Sequence, residues 1–265
     1  MEIEVCDLKG GYGADLIIDG VSFRVDPGSV VTLLGPNGSG KSTLLKMLGR
    51  ILKPRGGAVL LDGKDLFSLD SAELARKMAI LPQLHQAPAE VTVEELVSLG
   101  RYPHRGWNFV ASLHDREAVE NALAMTRMED LRDRPVSSLS GGECQRAWIA
   151  LTLAQEPEVL LLDEPTTFLD ICCQFEIIDV VRSLNRERST TVVMALHDLN
   201  LAASCSDRMI LLKDRRIRRA GKPIEVMTPE ILREVFEIET EVSVMACGVP
   251  FCAVLGSARQ QEARL

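Results

Sequence analysis

Long hydrophobic runs are the first thing this 265-residue sequence lacks. No apolar stretch approaches the roughly 18 residues a membrane-spanning helix needs, so any path across a membrane would belong to another chain. The opening MEIEVCDLKG is acidic and has no apolar export segment, so no secretory signal is expected. Excess positive charge is also missing: 30 Lys and Arg stand against 38 Asp and Glu, a net charge of −8 with a pI near 5.2. Nucleic-acid binders ordinarily carry a basic footprint, so nucleic acid is not an expected partner. There is no CxxC pair, and the seven cysteines are scattered. That argues for a reduced setting in which most thiols serve as small apolar residues. Repeats and low-complexity tracts are absent. What remains is an ordinary globular composition, 46% hydrophobic and 26% charged. The length suits one large α/β domain, or a core with an inserted subdomain.

Short strands and turns are expected over residues 2–30 and 57–66, with Asp62-Gly63 as a hairpin signal. Val30-Val31-Thr32-Leu33-Leu34 is a continuous apolar run, as in a strand buried on both faces. A helix is expected from about Lys41 to Leu52, stopped by Lys53-Pro54. Further buried strands are expected at Met78–Leu81, Val159–Leu162 and Thr191–Leu196. Strands alternating with helices predict right-handed crossovers and a mainly parallel sheet. The stretch from about 84 to 157 reads as a helical insertion. A C-terminal piece from about 209 contains a helix opening at Thr228-Pro229-Glu230, and the residues from Ser257 read as a polar, frayed end.

Gly35-Pro36-Asn37-Gly38-Ser39-Gly40-Lys41-Ser42 fits GxxxxGK[ST]. Converging backbone N–H groups hold a phosphate, glycines permit the required φ values, and the following helix turns its positive end to the anion. Lys41 would bridge β- and γ-phosphate oxygens and Ser42 would ligate Mg²⁺; Thr43 completes the nucleotide-binding set. Val159-Leu160-Leu161-Leu162-Asp163-Glu164 is an apolar strand ending in two carboxylates. Asp163 would hold Mg²⁺ directly or through water. Glu164 would polarise the attacking water as general base.

Leu139-Ser140-Gly141-Gly142-Glu143, followed by Gln145-Arg146, resembles the signature of ABC (ATP-binding cassette) ATPases, LSGGQ in its commonest form. Ser140 can cap a helix whose first amides face an anion. The resemblance implies that Ser140, Gly141, Gly142 and Glu143 close over the nucleotide of a second copy, giving a two-fold homodimer. The family's other marks follow in order. Tyr12 resembles the aromatic that stacks on adenine, and Gln83 resembles the glutamine that contacts Mg²⁺ or water and responds to the transport partner. Asp170, in Phe168-Leu169-Asp170, resembles the loop that communicates across the dimer, and His197 resembles the residue that holds the γ-phosphate. The fold implied is a P-loop ABC ATPase core: α/β with a mainly parallel sheet, an N-terminal antiparallel β subdomain and an inserted helical subdomain. One nucleotide-binding domain would span 1–265, with a C-terminal extension from about 209.

A narrower resemblance rests on Gly100-Arg101-Tyr102-Pro103-His104, Arg146-Ala147-Trp148-Ile149-Ala150 and the run from Asp163 to Ile171. These are similar to the ATPase subunits of iron(III)-siderophore and cobalamin importers, with haem importers related. The implied partners are a two-subunit transmembrane permease and an extracytoplasmic substrate-binding protein, and the implied place is peripheral, at the cytoplasmic face of the cell membrane. ATP and Mg²⁺ are the implied ligands, and an iron(III)-siderophore-type chelate is the favoured cargo. Residues 84–107 are expected to help pass motion to the membrane subunits. A soluble ABC ATPase is the competing class. Ribosome-acting members usually carry two cassettes, DNA-acting members usually insert a long coiled coil, and neither feature is here. A non-hydrolysing regulator does not need the full set Lys41, Asp163, Glu164 and His197.

Three departures stand out. Glu143 replaces the commonest glutamine, Cys144 follows it, and Cys172-Cys173 occupies a site where related chains often have Cys-His. The adjacent cysteines read as packing residues. The place of Cys144 near a helix N-terminus predicts a lowered thiol pKa and oxidant sensitivity. The basic run from Lys213 to Arg219 reads as a solvated hairpin turn.

Overall fold

A computed structural model of the chain describes residues 1–83, 90–105 and 110–258. The expected motion-passing stretch 84–107 and the polar end therefore lie partly outside the described residues. Two compact units emerge: 1–67 with 193–265, and 68–192.

The first unit opens with β1 (Ile3–Gly10) and β2 (Ile18–Val25), then β3 (Val30–Leu34), α1 (Lys41–Leu48), β4 (Gly56–Leu61) and β5 (Lys64–Asp65). Strands β2-β1-β4-β5 form an antiparallel sheet in that order. Ile3, Val5 and Leu8 of β1 point inward. The β4–β5 turn is Asp62-Gly63, both in the left-handed region, as the sequence predicts. All five residues of β3 are buried.

Helix α1 is shorter than its apolar spacing suggests. Gly49 N–H bonds back to the Leu45 carbonyl, and Arg50 turns left-handed at φ 58°. The amides of Ile51 and Leu52 then both close on the Lys46 carbonyl, at 2.8 and 2.9 Å. The left-handed turn at Arg50, just past the Gly49 cap, ends the helix before Lys53-Pro54 is reached.

The second unit contains α2 (Ser71–Lys77), β6 (Met78–Leu81), α3 (Val93–Ser98), α4 (Leu113–Met125), α5 (Gly141–Ala154), β7 (Val159–Asp163) and α6 (Ile171–Arg188). Strands β6 and β7 are parallel, with Leu81 opposite Leu162. Helices α3, α4 and α5 carry the described part of the expected helical stretch. Strand β8 (Thr191–Ala195) leads the chain back to the first unit, and all five of its residues are buried.

The first unit then continues with α7 (Leu199–Cys205), β9 (Arg208–Lys213), β10 (Arg216–Gly221), α8 (Pro223–Val226), α9 (Pro229–Phe236), β11 (Ile238–Val244) and β12 (Pro250–Ser257). Strand β9 runs parallel to β3, with Leu34 opposite Leu211, and antiparallel to β10. Helix α9 starts where Thr228-Pro229-Glu230 predicts, with Thr228 as its cap. The β11–β12 hairpin is an element the sequence reading did not separate from the C-terminal piece. Asn200 ties it down: its side chain donates to the Cys252 carbonyl at 3.0 Å and accepts from the Cys252 amide at 2.7 Å.

Candidate functional site

In the first unit the phosphate loop leaves β3 and ends where α1 begins. Gly35 and Gly40 take φ values of 153° and 102°. A Cβ on Gly35 would lie 2.1 Å from the Leu212 carbonyl oxygen, and one on Gly40 would lie 2.6 Å from Ile18 Cδ1. Both positions therefore need glycine for close approach as well as for φ. Lys41 is buried, and its Nζ donates to the carbonyls of Gly35 at 2.9 Å and Pro36 at 3.4 Å. The lysine thus arches over the loop, holding a cation beside the amides. Ser39 Oγ is buried and has no hydrogen-bond partner among the described residues. Buried hydroxyls are normally satisfied, and an oxyanion is a fitting acceptor for this one. No acidic residue lies in the first turn of α1, so the helix's positive end keeps its full attraction for an anion.

Tyr12 sits on the turn after β1, 48% exposed as a residue, with Lys46 Nζ 5.9 Å from the ring centroid. Arg55 holds that turn by donating to the carbonyls of Gly13 and Ala14. Leu196 N–H donates to the Leu33 carbonyl at 3.1 Å, so His197, the next residue, emerges at the same strand end as Gly35. Asp198 caps α7 by accepting from the Leu201 amide at 2.8 Å, which fixes the turn that carries His197.

In the second unit, parallel register does the positioning. Because Leu81 is opposite Leu162, Gln83 and Glu164, each two residues on, leave the sheet together. Gln83 Nε2 donates to Glu164 Oε2 at 2.6 Å, and Thr167 Oγ1 donates to the same oxygen at 3.2 Å. Asp163 is the last residue of β7 and is buried. Glu164 turns left-handed at φ 53°, which swings its carboxylate off the line of the strand. The donor set expected for Mg²⁺ is the Ser42 hydroxyl, the Gln83 amide oxygen and the Asp163 carboxylate. These are hard oxygens, the type that ion takes, and they fit it chemically.

Ser140 caps α5 in a complete capping box. Ser140 Oγ accepts from the Glu143 amide, and Glu143 Oε2 accepts from the Ser140 amide and hydroxyl, both at 2.8 Å. This accounts for glutamate at the usual glutamine position, since Glu is a standard partner in that box. The Ser140 amide, followed by its hydroxyl, holds the Glu143 carboxyl below the usual carboxylate range. Asp170 caps α6 by accepting from the Cys173 amide at 2.9 Å, and that bond holds its carboxyl low.

The expectation for Cys144 is reversed. Burial pushes its thiol up, and a weaker opposing contribution from Trp148 does not offset it. Desolvation outweighs the helix end. Four of the five basic residues in the run form ion pairs: Lys213 with Glu237 at 2.9 Å, Arg216 with Asp19 at 2.8 Å, Arg218 with Asp214 at 2.6 Å and Arg219 with Glu234 at 3.3 Å. The reading from sequence missed Thr167 and Arg55, and no motif spacing marks either.

The ABC transporter family model matches residues 18–167. FpuD of Bacillus anthracis, a petrobactin import ATP-binding protein, is 44% identical over 259 residues, covering 97% of this chain and 95% of that protein. FhuC of Bacillus subtilis, an iron(3+)-hydroxamate import ATP-binding protein, is 46% identical over 232 residues, 88% of this chain and 86% of that one. The dimeric structure of MJ0796, a bacterial ABC transporter cassette, is similar with a TM-score of 0.74 and 32% identity, covering 83% of this chain and 98% of that one. With the phosphate loop, the paired strand-end carboxylates and the capped signature helix in place, the chain belongs to the ABC transporter family and is an ATP-hydrolysing subunit of it.

Proposed function

We propose that this chain energises import of an iron(III)-siderophore-type chelate through a partner membrane permease, as a homodimer at the cytoplasmic face of the membrane. The observation that carries the chemistry is Glu164, held by Gln83 and Thr167 beyond the end of β7. The names of the siderophore-importing relatives favour the cargo. No helix among the described residues is long and apolar enough to cross a membrane, so the cargo path would lie in the permease.

Each residue has a role in this reading. Tyr12 offers an exposed aromatic face to the base. The loop amides from Gly35 to Thr43, with Ser39 Oγ, cradle the phosphates, and Lys41 neutralises their charge. Mg²⁺, when bound, would offset charge on the phosphate oxygens, with Ser42, Gln83 and Asp163 as its protein donors. Glu164 takes the proton from the water that attacks the γ-phosphorus, and His197 orients the transferred group. Ser140, Gly141 and Gly142 of one copy face the nucleotide of the other, Ser140 as the helix cap and Gly141 and Gly142 with helix-end amides, and Asp170 holds the adjoining loop. The helical stretch would relay closure to the permease, and a substrate-binding protein would deliver the chelate outside.

Glu164→Gln is expected to keep ATP affinity, to cut phosphate release by about a hundredfold or more, and to accumulate closed dimers on size exclusion. Near-normal turnover would remove Glu164 from the base role. The same variant, tagged and purified from solubilised membranes with ATP, should bring down a polytopic membrane protein. A co-purifying binding protein would then be tested against iron chelates and cobalamin. Recovery of ribosomes or soluble factors alone would leave the ATPase reading standing and end the import reading.

A further inference from the structure

The two glycines of the signature have different surroundings. Both lie in the first turn of α5, where glycine is a weaker helix former than alanine. A Cβ on Gly141 would meet nothing within 4 Å. A Cβ on Gly142 would lie 2.7 Å from Cys173 Sγ and 3.4 Å from Cys173 Cβ. The room at Gly141 means that any demand for glycine there comes from outside this subunit. The demand at Gly142 comes from inside it, from the first turn of α6.

A second contact lies one turn further along both helices. Arg146 Nη1 donates to Glu176 Oε2 at 2.7 Å, and the pair is partly buried. Residues 142 and 146 are four apart on α5, and 173 and 176 are three apart on α6, so both contacts fall on facing ridges. The start of α5 carries the Ser140 cap, and the start of α6 carries the Asp170 cap. Two contacts one turn apart fix both the separation and the rotation of the two helix starts.

We infer that Cys173 is a positioning residue for ATP hydrolysis. Seated on Gly142, and backed by the Arg146–Glu176 pair, it makes the signature and the Asp170 loop one rigid edge. The inference rests on the ATPase reading above. Residues 142 and 173 are then coupled in size. A methyl group at 142 pushes the start of α5 away from α6 and misaims Ser140 and the helix-end amides. Nucleotide binding by the same copy, which uses Lys41 and its loop, is left alone.

The test sets this against the alternative that Gly142 is needed for close approach to the other copy's nucleotide. Gly142→Ala is expected to lower turnover by about tenfold or more while ATP affinity changes less than about twofold. Adding Cys173→Ala should bring turnover back to within about threefold of the starting protein. Full activity of Gly142→Ala, or no recovery in the double variant, overturns the proposal. A measurement on the unaltered chain decides the matter if Gly142→Ala does not fold. Cys172 is exposed, whereas Cys173 is only partly exposed, so peptide mass spectrometry should show Cys173 alkylated several-fold more slowly, by about threefold or more. Equal rates would overturn the seat. Because that readout needs no turnover, it separates failure of this inference from failure of the ATPase reading.

Discussion

Thr167 gives its hydroxyl hydrogen to the same Glu164 oxygen that takes the Gln83 amide. Two donors on one oxygen fix the carboxylate's rotation. Thr167→Val keeps the shape and removes the donor. Turnover should fall about ten- to a hundredfold, the worth of one hydrogen bond to a charged group, with the KM for ATP unchanged in a phosphate-release assay. Unchanged turnover would mean that Gln83 orients the carboxylate alone. At this scale the phosphate loop was legible because phosphate chemistry fixes the spacing from Gly35 to Ser42 along the chain. Thr167 was not, because its bond exists only once Glu164 has turned left-handed. Cys144 was misread because its position along the helix showed in the sequence and its burial did not.

Arg101 is 1% exposed and bonded to Asp115 at 2.8 Å, to the Ala154 carbonyl at 2.8 Å and to Glu156 at 2.8 Å. It joins the start of α4 to the end of α5. Burial works against the charged form of Asp115, but hydrogen bonds from Arg101 and Ser112 prevail and hold its carboxyl well below the usual range. A depressed folded pKa stabilises the fold above the unfolded value of about 4, and that stability is lost as pH falls below it. Asp115→Asn should cost about 3–5 kcal/mol at pH 7, as broken buried ion pairs do, and should flatten the loss on acidification. Urea melts at pH 7 and pH 3 would show this, and an unchanged slope would mean that Arg101 finds other acceptors. Among the elements, β3, β6, β7 and β8 were legible because strands buried on both faces read as unbroken apolar runs. The β11–β12 hairpin was not separated, although Glu239, Glu241 and Ser243 alternate with less polar residues as in a strand, and its anchor, Asn200, lies far back in the sequence. Nor was the early end of α1 legible, where a left-handed Arg50 overrides apolar spacing that continues through Ile51 and Leu52.

The whole molecule is read as half of a catalyst, since Ser140 and Gly141 are exposed on a capped helix that would serve another copy's nucleotide. ATPase activity per chain should therefore rise with chain concentration before levelling off, as for any site shared across a two-fold dimer. Flat specific activity down to high dilution would place the complete site within one chain. Family membership was legible from the order of the motifs. Cargo was not, because in the proposed assembly no residue of this chain meets it, and the petrobactin and hydroxamate relatives stand at 44% and 46% identity. The backbone at Glu164 has a further consequence for the molecule. A left-handed glutamate costs the fold about 1 kcal/mol or more that glycine would not. Selection for heat resistance alone would therefore drift toward glycine at 164 and return a sturdier protein with no base. On the base role proposed for Glu164, glutamate at that position trades durability for turnover, and a thermostability screen on this chain needs an activity gate.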